Sequence, residues 1–178
     1  VFFEFYRQKM DTRNIEPNIT HKVLAKMEAA GKLKAVVTQN IDGLHQKAGS
    51  RNVYEIHGTT LKNYCCDCGR KYPADYIFHK APVPVCEYCK GIIRPDVVLY
   101  GESLPDKAVN SAVAAILNAD CLIIGGTSLQ VYPANTYVSY FRGKHLVVIN
   151  KEKLNIQLDE SDLFIESTLG AVFAEIDK

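Results

Sequence analysis

The segment Lys34-Ala35-Val36-Val37-Thr38-Gln39-Asn40-Ile41-Asp42 decides the fold class of this chain. Its apolar half has the composition of a short buried strand, and it ends abruptly in amide and carboxylate side chains. In open α/β sheets, ligands bind in the crevice at the carboxyl ends of strands, where such polar groups are useful. His57, fifteen residues after Asp42, stands beside a flexible glycine. We therefore expect a binding end and a chemical end of one site.

Two further strands show the same pattern of an apolar run with a polar end. The run from Asp120 to Ile124 leads into Gly126-Thr127-Ser128, and Leu146 to Ile149 is followed by Asn150. Helices are predicted at residues 2–10, 18–30, 105–117, 133–141 and 169–176, further strands at 33–38, 97–100 and 162–165, and loops with one short helix at 41–54. Helices that alternate with apolar strands predict an α/β fold, with a parallel sheet covered on both faces.

Composition limits the classes of function. The chain has 178 residues, 47% hydrophobic and 23% charged, which suits one domain with a core and a small appendage. The net charge of +1 favours neither nucleic acid nor membrane. No apolar run approaches the roughly 20 residues that span a bilayer, and the first residues lack the features of a signal peptide. We expect a monomeric, cytoplasmic protein with no direct nucleic-acid or membrane partner.

Four of the six cysteines form two pairs, Cys65-x-x-Cys68 and Cys86-x-x-Cys89, which are 17 residues apart. Two chelating turns at this spacing suit one tetrahedral zinc ion bound by four thiolates. A site of this kind has no open position, so we expect a structural ion. A pair of disulfides is the alternative, although nothing in the sequence points to secretion.

The other cysteines and most histidines receive ordinary interpretations. Cys66 offers an adjacent thiol that the C-x-x-C spacing disfavours as a ligand, and Cys121 is predicted to be a small buried hydrophobe. Residues 61–92 show little aliphatic periodicity and are not expected to build a core of their own. Four histidines are interpreted as loop residues bonded to backbone: His21, His45, His79 and His145.

Taken together, these segments resemble the sirtuins, a family of NAD-dependent protein-lysine deacylases. The matching segments are Thr38-Gln39-Asn40-Ile41-Asp42-Gly43-Leu44-His45, Glu55-Ile56-His57-Gly58, the four-cysteine module, residues 94–102, Gly126-Thr127-Ser128-Leu129 and Val148-Ile149-Asn150. They follow the family's order over most of the chain. The resemblance implies a Rossmann-like NAD-binding catalytic domain at residues 1–60 and 93–178, with an inserted zinc-ribbon module at residues 61–92.

The resemblance also implies a role for each matching residue. His57 would be the general base that activates a ribose hydroxyl of NAD, because neutral imidazole is well populated near pH 7. The nicotinamide and ribose pocket would be lined by Gln39, Asn40, Ile41 and Asp42. The adenosine ribose and phosphates would be held by Gly126, Thr127, Ser128 and Asn150, with Ile165 near the adenine. The substrate, an acyl-lysine protein or peptide, would contact Val97, Val98, Leu99 and Tyr6.

Each of these roles has a plainer alternative. Asn40 and Asp42 are both suited to turn capping. His57 is also compatible with a loop histidine bonded to backbone, and Gly126 to Ser128 with an ordinary strand-to-helix turn. Residues 97–100 are equally compatible with a core strand.

The chain departs from the family pattern in two places. Sirtuins carry an N-terminal strand with a loop of the approximate form G-A-G-I-S and then a P-D-F-R segment, neither of which occurs here. We therefore expect residues 1–178 alone to bind NAD weakly and to have little or no activity.

Members that remove acidic acyl groups tend to carry Tyr-x-x-Arg where this chain has Tyr6-Arg7-Gln8-Lys9. Lysine cannot make the bidentate carboxylate contact of arginine, so we expect a preference for acetyl or longer neutral acyl groups.

Three other functions remain as alternatives. The first is a non-enzymatic zinc scaffold or inactive homologue, against which His57 and Asp42 argue. The second is a nucleoside-monophosphate kinase with a zinc lid, which needs a G-x-x-x-x-G-K-[ST] loop that this sequence lacks. The third is a hydride-transferring dehydrogenase, which would reduce NAD and release no nicotinamide.

Overall fold

The computed structural model describes residues 1–130, 132 and 134–178. The helices are α1 Phe2–Lys9, α2 Ile19–Ala29, α3 Leu44–Lys47, α4 Tyr76–His79, α5 Asp106–Leu117 and α6 Leu169–Ile176, with a 3₁₀ helix at Ala134–Tyr140. The strands are β1 Val36–Thr38, β2 Val53–Glu55, β3 Gly58–Cys65, β4 Lys71–Pro73, β5 Ile93–Val97, β6 Cys121–Gly125, β7 His145–Asn150 and β8 Leu163–Glu166. Among the described residues, no helix has both the length and the apolar character that a membrane crossing requires.

The parallel sheet predicted from the apolar runs is present as β6-β7-β8, with β7 in the centre. One of its faces packs on α2 and α6 through Val23, Ile149 and Phe173, which are all at most 2% exposed. The other face contributes Ile124, Leu146 and Val148 to a second cluster. Burial on both faces explains why β7 reads as a continuous apolar run. The mixed α/β fold with parallel strands is therefore confirmed.

The first strand is shorter and more exposed than its sequence suggested. β1 pairs in parallel with β2 and with no other described strand, and Val37 is 36% exposed. A strand is present within residues 33–38, as predicted, but the prediction that it is buried was wrong. Among the described strands only one edge of β1 is paired, which leaves the strand more exposed. The prediction of loops at 41–54 missed β2, although α3 is the expected short helix.

The cysteine-rich region forms an antiparallel sheet in the order β4-β3-β5. Its core consists of Cys65, Ile77, Cys86 and Ile93 together with Tyr6 of α1. As expected, residues 61–92 do not supply this core alone, since α1 and β5 complete it. The sheet also extends beyond that range, from Gly58 on β3 to Val97 on β5.

Arg7 fastens α1 to the cysteine-rich region. Its guanidinium donates to three backbone carbonyls, those of Ile77 at 2.9 Å and of Lys80 and Pro82 at 2.8 Å each. Tyr6 stacks on Phe78 on the same side of the helix. These contacts use one face of α1 and leave Phe2 and Phe5 exposed.

Other predictions need correction at their boundaries. Cys121 is exposed and not buried, because it begins β6, a strand that pairs only with β7 among the described strands. The strand expected at residues 97–100 ends at Val97, and Tyr100 is fully exposed. The helix expected at 133–141 is a 3₁₀ helix at Ala134–Tyr140, and its predicted first residue, Pro133, lies outside the described residues.

Candidate active site and metal centre

The backbone after β2 fixes the orientation and tautomer of His57. Gly58 has φ +78°, and a Cβ there would collide with the carbonyl of Asp96, so the turn requires glycine. His57 Nδ1 lies 3.0 Å from the carbonyl oxygen of Gln39. Because a carbonyl only accepts, Nδ1 carries the proton and Nε2 has the free lone pair. The half-buried ring is therefore prepared to accept a proton at Nε2.

The loop after β1 is held by its own hydrogen bonds. The Thr38 hydroxyl accepts from the Asn40 amide at 3.0 Å, and Asp42 Oδ1 accepts from the Leu44 amide at 3.0 Å. The carbonyl of Ile41 accepts from both the amide and the hydroxyl of Thr60. Asp42, which precedes the N-cap Gly43, therefore accepts from the first amide of α3 through one carboxylate oxygen, which is the ordinary turn-capping role foreseen for it. Among the described residues no hydrogen bond engages its Oδ2, which leaves the ligand-binding role open to the same residue.

The residues predicted to hold the adenosine end meet in one cleft of about 900 Å³. It opens at the carboxyl ends of β6 and β7 and at the start of α6. Its lining includes Gly126, Thr127, Ser128 and Asn150. The Thr127 hydroxyl accepts from the Leu129 amide at 3.1 Å, which fixes the turn after β6. Two of the three polar strand ends, those of β6 and β7, therefore meet in one crevice, as expected for an open α/β sheet.

The cleft does not include every predicted residue. His57 and residues 39–42 are not among its lining residues. Ile165 packs toward Phe173 in the core under α6 and does not line the cleft. The roles assigned to all these residues stay predictions.

The cleft also contains residues that the sequence did not single out: Lys151, Lys153, Ser167 and Thr168. Thr168 caps α6, and its hydroxyl accepts from the Ala171 amide at 3.2 Å. Residues 126–128 were singled out because polar residues follow a strand there. The same pattern occurs at Ser167-Thr168, between β8 and α6, and could have identified these residues. The two lysines gave no such signal, because exposed lysines are common after strands.

The segment proposed to pair with substrate follows β5. The Val98 amide donates to the carbonyl of His57 at 2.9 Å, which joins this segment to the candidate base. Glu102 accepts from the Arg94 guanidinium and from the Leu99 amide, both at 2.9 Å. These bonds hold the pKa of Glu102 low, at about 2, with the Arg94 bond as the largest cause. They turn the backbone away from β5 and present Leu99, which is 38% exposed.

Tyr6, predicted to contact the substrate, is only 4% exposed. Burial, and to a lesser extent Asp11, raises the pKa of Tyr6 to about 12. Its hydroxyl is buried and has no hydrogen-bond partner in the part of the chain that the structure describes. Tyr6 therefore has a place in the core of the cysteine-rich region, and its contact with substrate stays a prediction.

The four predicted cysteine ligands converge. Their sulfur atoms all lie within 4.8 Å of one another, with Cys65 and Cys89 3.4 Å apart and Cys68 and Cys86 3.7 Å apart. Tetrahedral zinc with Zn–S bonds of about 2.3 Å requires sulfur separations of about 3.8 Å. All six cysteines are free thiols, so the disulfide alternative does not hold. Cys66 is exposed and outside the cluster, as predicted.

The surroundings of Cys86 favour its thiolate form. The Cys89 amide and then the Tyr72 hydroxyl, 3.1 Å away, lower the pKa of Cys86 to about 6. Cys65 and Cys86 are buried, and the other two ligands are exposed. Four sulfur atoms at tetrahedral spacing fit one zinc ion and leave no position for a substrate, so the ion is structural.

Comparison with known proteins agrees with these observations. A sequence model described as the Sir2 family matches residues 1–133. Two proteins named NAD-dependent protein deacetylase, from Clostridium acetobutylicum and Clostridium perfringens, are 51% and 52% identical over 176 residues. The alignments cover 98% of this chain and 71% and 72% of the relatives.

Solved structures of Sir2 proteins share the fold. One is a complex with an inhibitor, 2′-O-acetyl-ADP-ribose and a deacetylated p53 peptide, with a TM-score of 0.90 and 35% identity over 98% of this chain and 77% of the other. Another, described as Sir2 bound to acetylated peptide, has a TM-score of 0.89 and 33% identity over 98% of this chain and 76% of the other. This chain therefore belongs to the Sir2 family, the sirtuins.

Proposed function

We propose that this protein is an NAD-dependent protein-lysine deacetylase that releases nicotinamide and transfers the acyl group to ADP-ribose. The observation that carries this function is the tautomer of His57, whose Nε2 is free to accept a proton while Nδ1 donates to Gln39. The named relatives and the structure with 2′-O-acetyl-ADP-ribose support the same chemistry. The alternatives of a weakly active fragment or an inactive scaffold gain no support over this function.

NAD, when bound, supplies the ribose carbon that releases nicotinamide and the hydroxyl that receives the acyl group. His57 Nε2 would take the proton of that hydroxyl as general base. Asp42 would accept from the carboxamide N–H groups through its Oδ2. Gln39, Asn40 and Ile41 would complete this pocket, with the bonds of Thr38 and Thr60 keeping the loop in place.

The cleft beside β6 and β7 fits the other half of NAD. Its volume of about 900 Å³ is within the range of cofactor sites. Gly126 has φ +61°, and the hydroxyls of Thr127 and Ser128 stand where backbone and phosphates would approach. Asn150 would bind the adenosine ribose, and Ile165 is assigned to the adenine end on the resemblance alone.

The substrate would be an acyl-lysine protein or peptide. A solved relative binds an acetylated peptide. Here Val97, Val98 and Leu99 would pair with the peptide backbone, since this segment is joined to His57 and leaves Leu99 exposed. With Lys9 at the position of the family's arginine, acetyl and longer neutral acyl groups are the proposed substrates, with Tyr6 as a further contact.

We also propose the division into a catalytic domain, residues 1–60 and 93–178, and a zinc module, residues 61–92. The core shared by α1 and the cysteine cluster makes the two parts interdependent. Free thiols at all six cysteines suit a reducing compartment, and the cytoplasm is the proposed location.

The test is release of nicotinamide from NAD in the presence of an acetyl-lysine peptide. We expect deacylated peptide and nicotinamide in equal amounts, with no reduced NAD. His57→Phe should abolish the reaction, and His79→Phe should not, because the His79 side chain is 67% exposed on α4. Reduction of NAD, or full activity of His57→Phe, would overturn the proposal.

The acyl preference needs its own comparison. Acetyl-lysine and succinyl-lysine versions of one peptide should differ in kcat/KM, with the acetyl form preferred. Lys9→Arg should narrow the difference by providing a bidentate partner for the succinyl carboxylate. A clear preference of the unaltered protein for succinyl-lysine would contradict the assignment.

A further inference from the structure

Two histidines that the proposed chemistry does not use pack against each other between α2 and α3. His21 is 8% exposed and His45 is 9% exposed. Their ring centroids are 4.6 Å apart, with the ring planes inclined at 57°. The sequence suggested loop histidines bonded to backbone for both, and this was wrong, because each lies in a helix and contacts the other.

His21 is fixed by the residue that caps its helix. Asn18 Oδ1 accepts from the His21 amide at 3.3 Å and lies 2.8 Å from His21 Nδ1. The amide oxygen only accepts, so His21 Nδ1 is protonated, and this one bond holds the ring while the other holds the backbone of the same residue. α2 therefore presents a rigid surface to the ring of His45.

His45 lies on the short helix that begins under Asp42. The first amide of α3, that of Leu44, donates to Asp42 Oδ1 at 3.0 Å, and His45 is the next residue. His45 Nδ1 is buried and has no hydrogen-bond partner among the described residues. The ring thus holds α3 by packing, and α3 holds one oxygen of the Asp42 carboxylate.

We propose that His45 is a positioning residue: its ring, packed on His21, holds α3 against α2 and so directs the free oxygen of Asp42 into the NAD site. This inference rests on the proposed function, because it takes Asp42 as part of that site. Burial lowers the pKa of both imidazoles, and the nearby Asp42 carboxylate opposes the effect. The packed pair is therefore neutral near pH 7 and introduces no charge beside Asp42.

The chain offers a matched control at the other end of α3. Lys47 Nζ donates to the carbonyl of Ile15 at 2.8 Å and pairs with Glu16 at 2.7 Å. This contact also ties α3 to the segment before α2, but it is made from the last residue of α3, at the opposite end from the bond to Asp42. Lys47→Met removes it without touching the histidine pair.

The experiment compares His45→Ala, His45→Phe and Lys47→Met with the unaltered protein. NAD affinity is measured by calorimetry, and amide hydrogen exchange at Leu44 reports the bond to Asp42. We expect His45→Ala to weaken NAD binding about tenfold and to raise the Leu44 exchange rate by at least as much. His45→Phe keeps a packed ring and should stay within about threefold in both measurements. In kinetics, the KM for NAD should rise while the KM for the peptide stays unchanged.

Several outcomes would overturn the inference. They are unchanged NAD affinity in His45→Ala, equal losses in Lys47→Met and His45→Ala, or a folded His45→Phe as weak as His45→Ala. If His45→Ala does not fold, His45→Leu replaces it, since it keeps volume without the planar ring. Asp42→Asn separates this test from the proposed function, because asparagine can still cap α3. Unchanged NAD binding in Asp42→Asn would refute the NAD site itself, whereas weakened binding there with normal His45→Ala would refute only the positioning role.

Discussion

The cysteine-rich region and the parallel sheet reach stability by different means. In the first, two of the buried core residues are cysteines of the four-sulfur cluster, and an arginine from α1 donates to three carbonyls of α4 and the loop after it. In the second, β7 is covered on both faces by aliphatic and aromatic side chains. A region with few apolar residues thus depends on a metal and on polar contacts, while a region that opens into a ligand cleft has an apolar core behind it.

The largest expected effect is loss of the metal. Removal of zinc by a chelator, or Cys86→Ala, should melt the cysteine-rich region, because structural zinc sites contribute apparent binding energies of about 10–16 kcal/mol. Hydrogen exchange should show faster exchange at the Cys65 and Cys86 amides, which bond within the region. Amides of β7 should keep their protection.

Cys66→Ala is the matched control, since Cys66 is adjacent to a ligand but outside the cluster. It should retain one zinc per chain in metal analysis. Simultaneous loss of protection in β7 after chelation would show that the two regions unfold as one unit and would remove the contrast.

The next effect comes from the apolar core of the parallel sheet. Phe173→Ala should lower the free energy of unfolding by about 3–5 kcal/mol, because it leaves a cavity among α2, α6 and β7. Urea unfolding followed by far-UV circular dichroism measures the loss. Ile176→Ala on the same helix should cost much less, since Ile176 is 54% exposed. Equal losses in the two variants would contradict the assigned core.

A smaller effect is expected at the clamp between α1 and the cysteine-rich region. Arg7→Met keeps the apolar stem but removes the donors to three carbonyls, and should cost about 1–3 kcal/mol. Thermal unfolding with zinc bound gives the measurement, and Lys9→Met on the exposed side of α1 is the control. An unchanged transition in Arg7→Met would show that packing of Tyr6 on Phe78 suffices to hold α1.

The smallest effect is a pH dependence from the buried histidine pair. The folded protein lowers the pKa of His21 and of His45, mainly by burial, so the unfolded chain binds protons more readily. Their contribution to stability is therefore complete above about pH 6.5 and is lost as the pH falls below it. The midpoint of thermal unfolding should drop between about pH 7 and pH 5.5.

Glu55 has the opposite effect on how the stability of the folded protein depends on pH. Burial is the largest cause that raises its pKa, so its contribution is lost as the pH rises above its usual range near about 4.3. The two effects are separated by substitution: His45→Phe should flatten the drop, and Glu55→Gln should leave it in place. A drop of the same size in His45→Phe would assign the pH dependence to other groups.

Local signals in the sequence predicted much of the fold. The cap at Asn18, whose side chain accepts from the His21 amide, and the apolar spacing of Leu169–Ile176 placed α2 and α6 well. The continuous apolar run of β7 predicted a buried parallel strand. The C-x-x-C pairs predicted the cluster, since two chelating turns bring four sulfur atoms together over a short stretch.

Other features had no local signal. β2 is three residues long and depends on pairing with β1, so its sequence looked like a loop. Cys121 was expected to be buried in a strand and is exposed. The prediction failed because the composition of a strand does not distinguish an edge strand from a central one. Ser167 and Thr168 join the cleft only because β8 lies beside β7.

Short-range spacing was enough to predict the residue types that can perform the chemistry, the zinc ligands and the alternation of helices and strands. The tertiary structure set the tautomer of His57, since the Gln39 carbonyl that accepts its Nδ1 proton comes from another strand end. It also decided the contact of His21 with His45, which lie on different helices. Both contacts join parts of the chain distant in sequence, and such contacts follow from packing and not from the local pattern of residues.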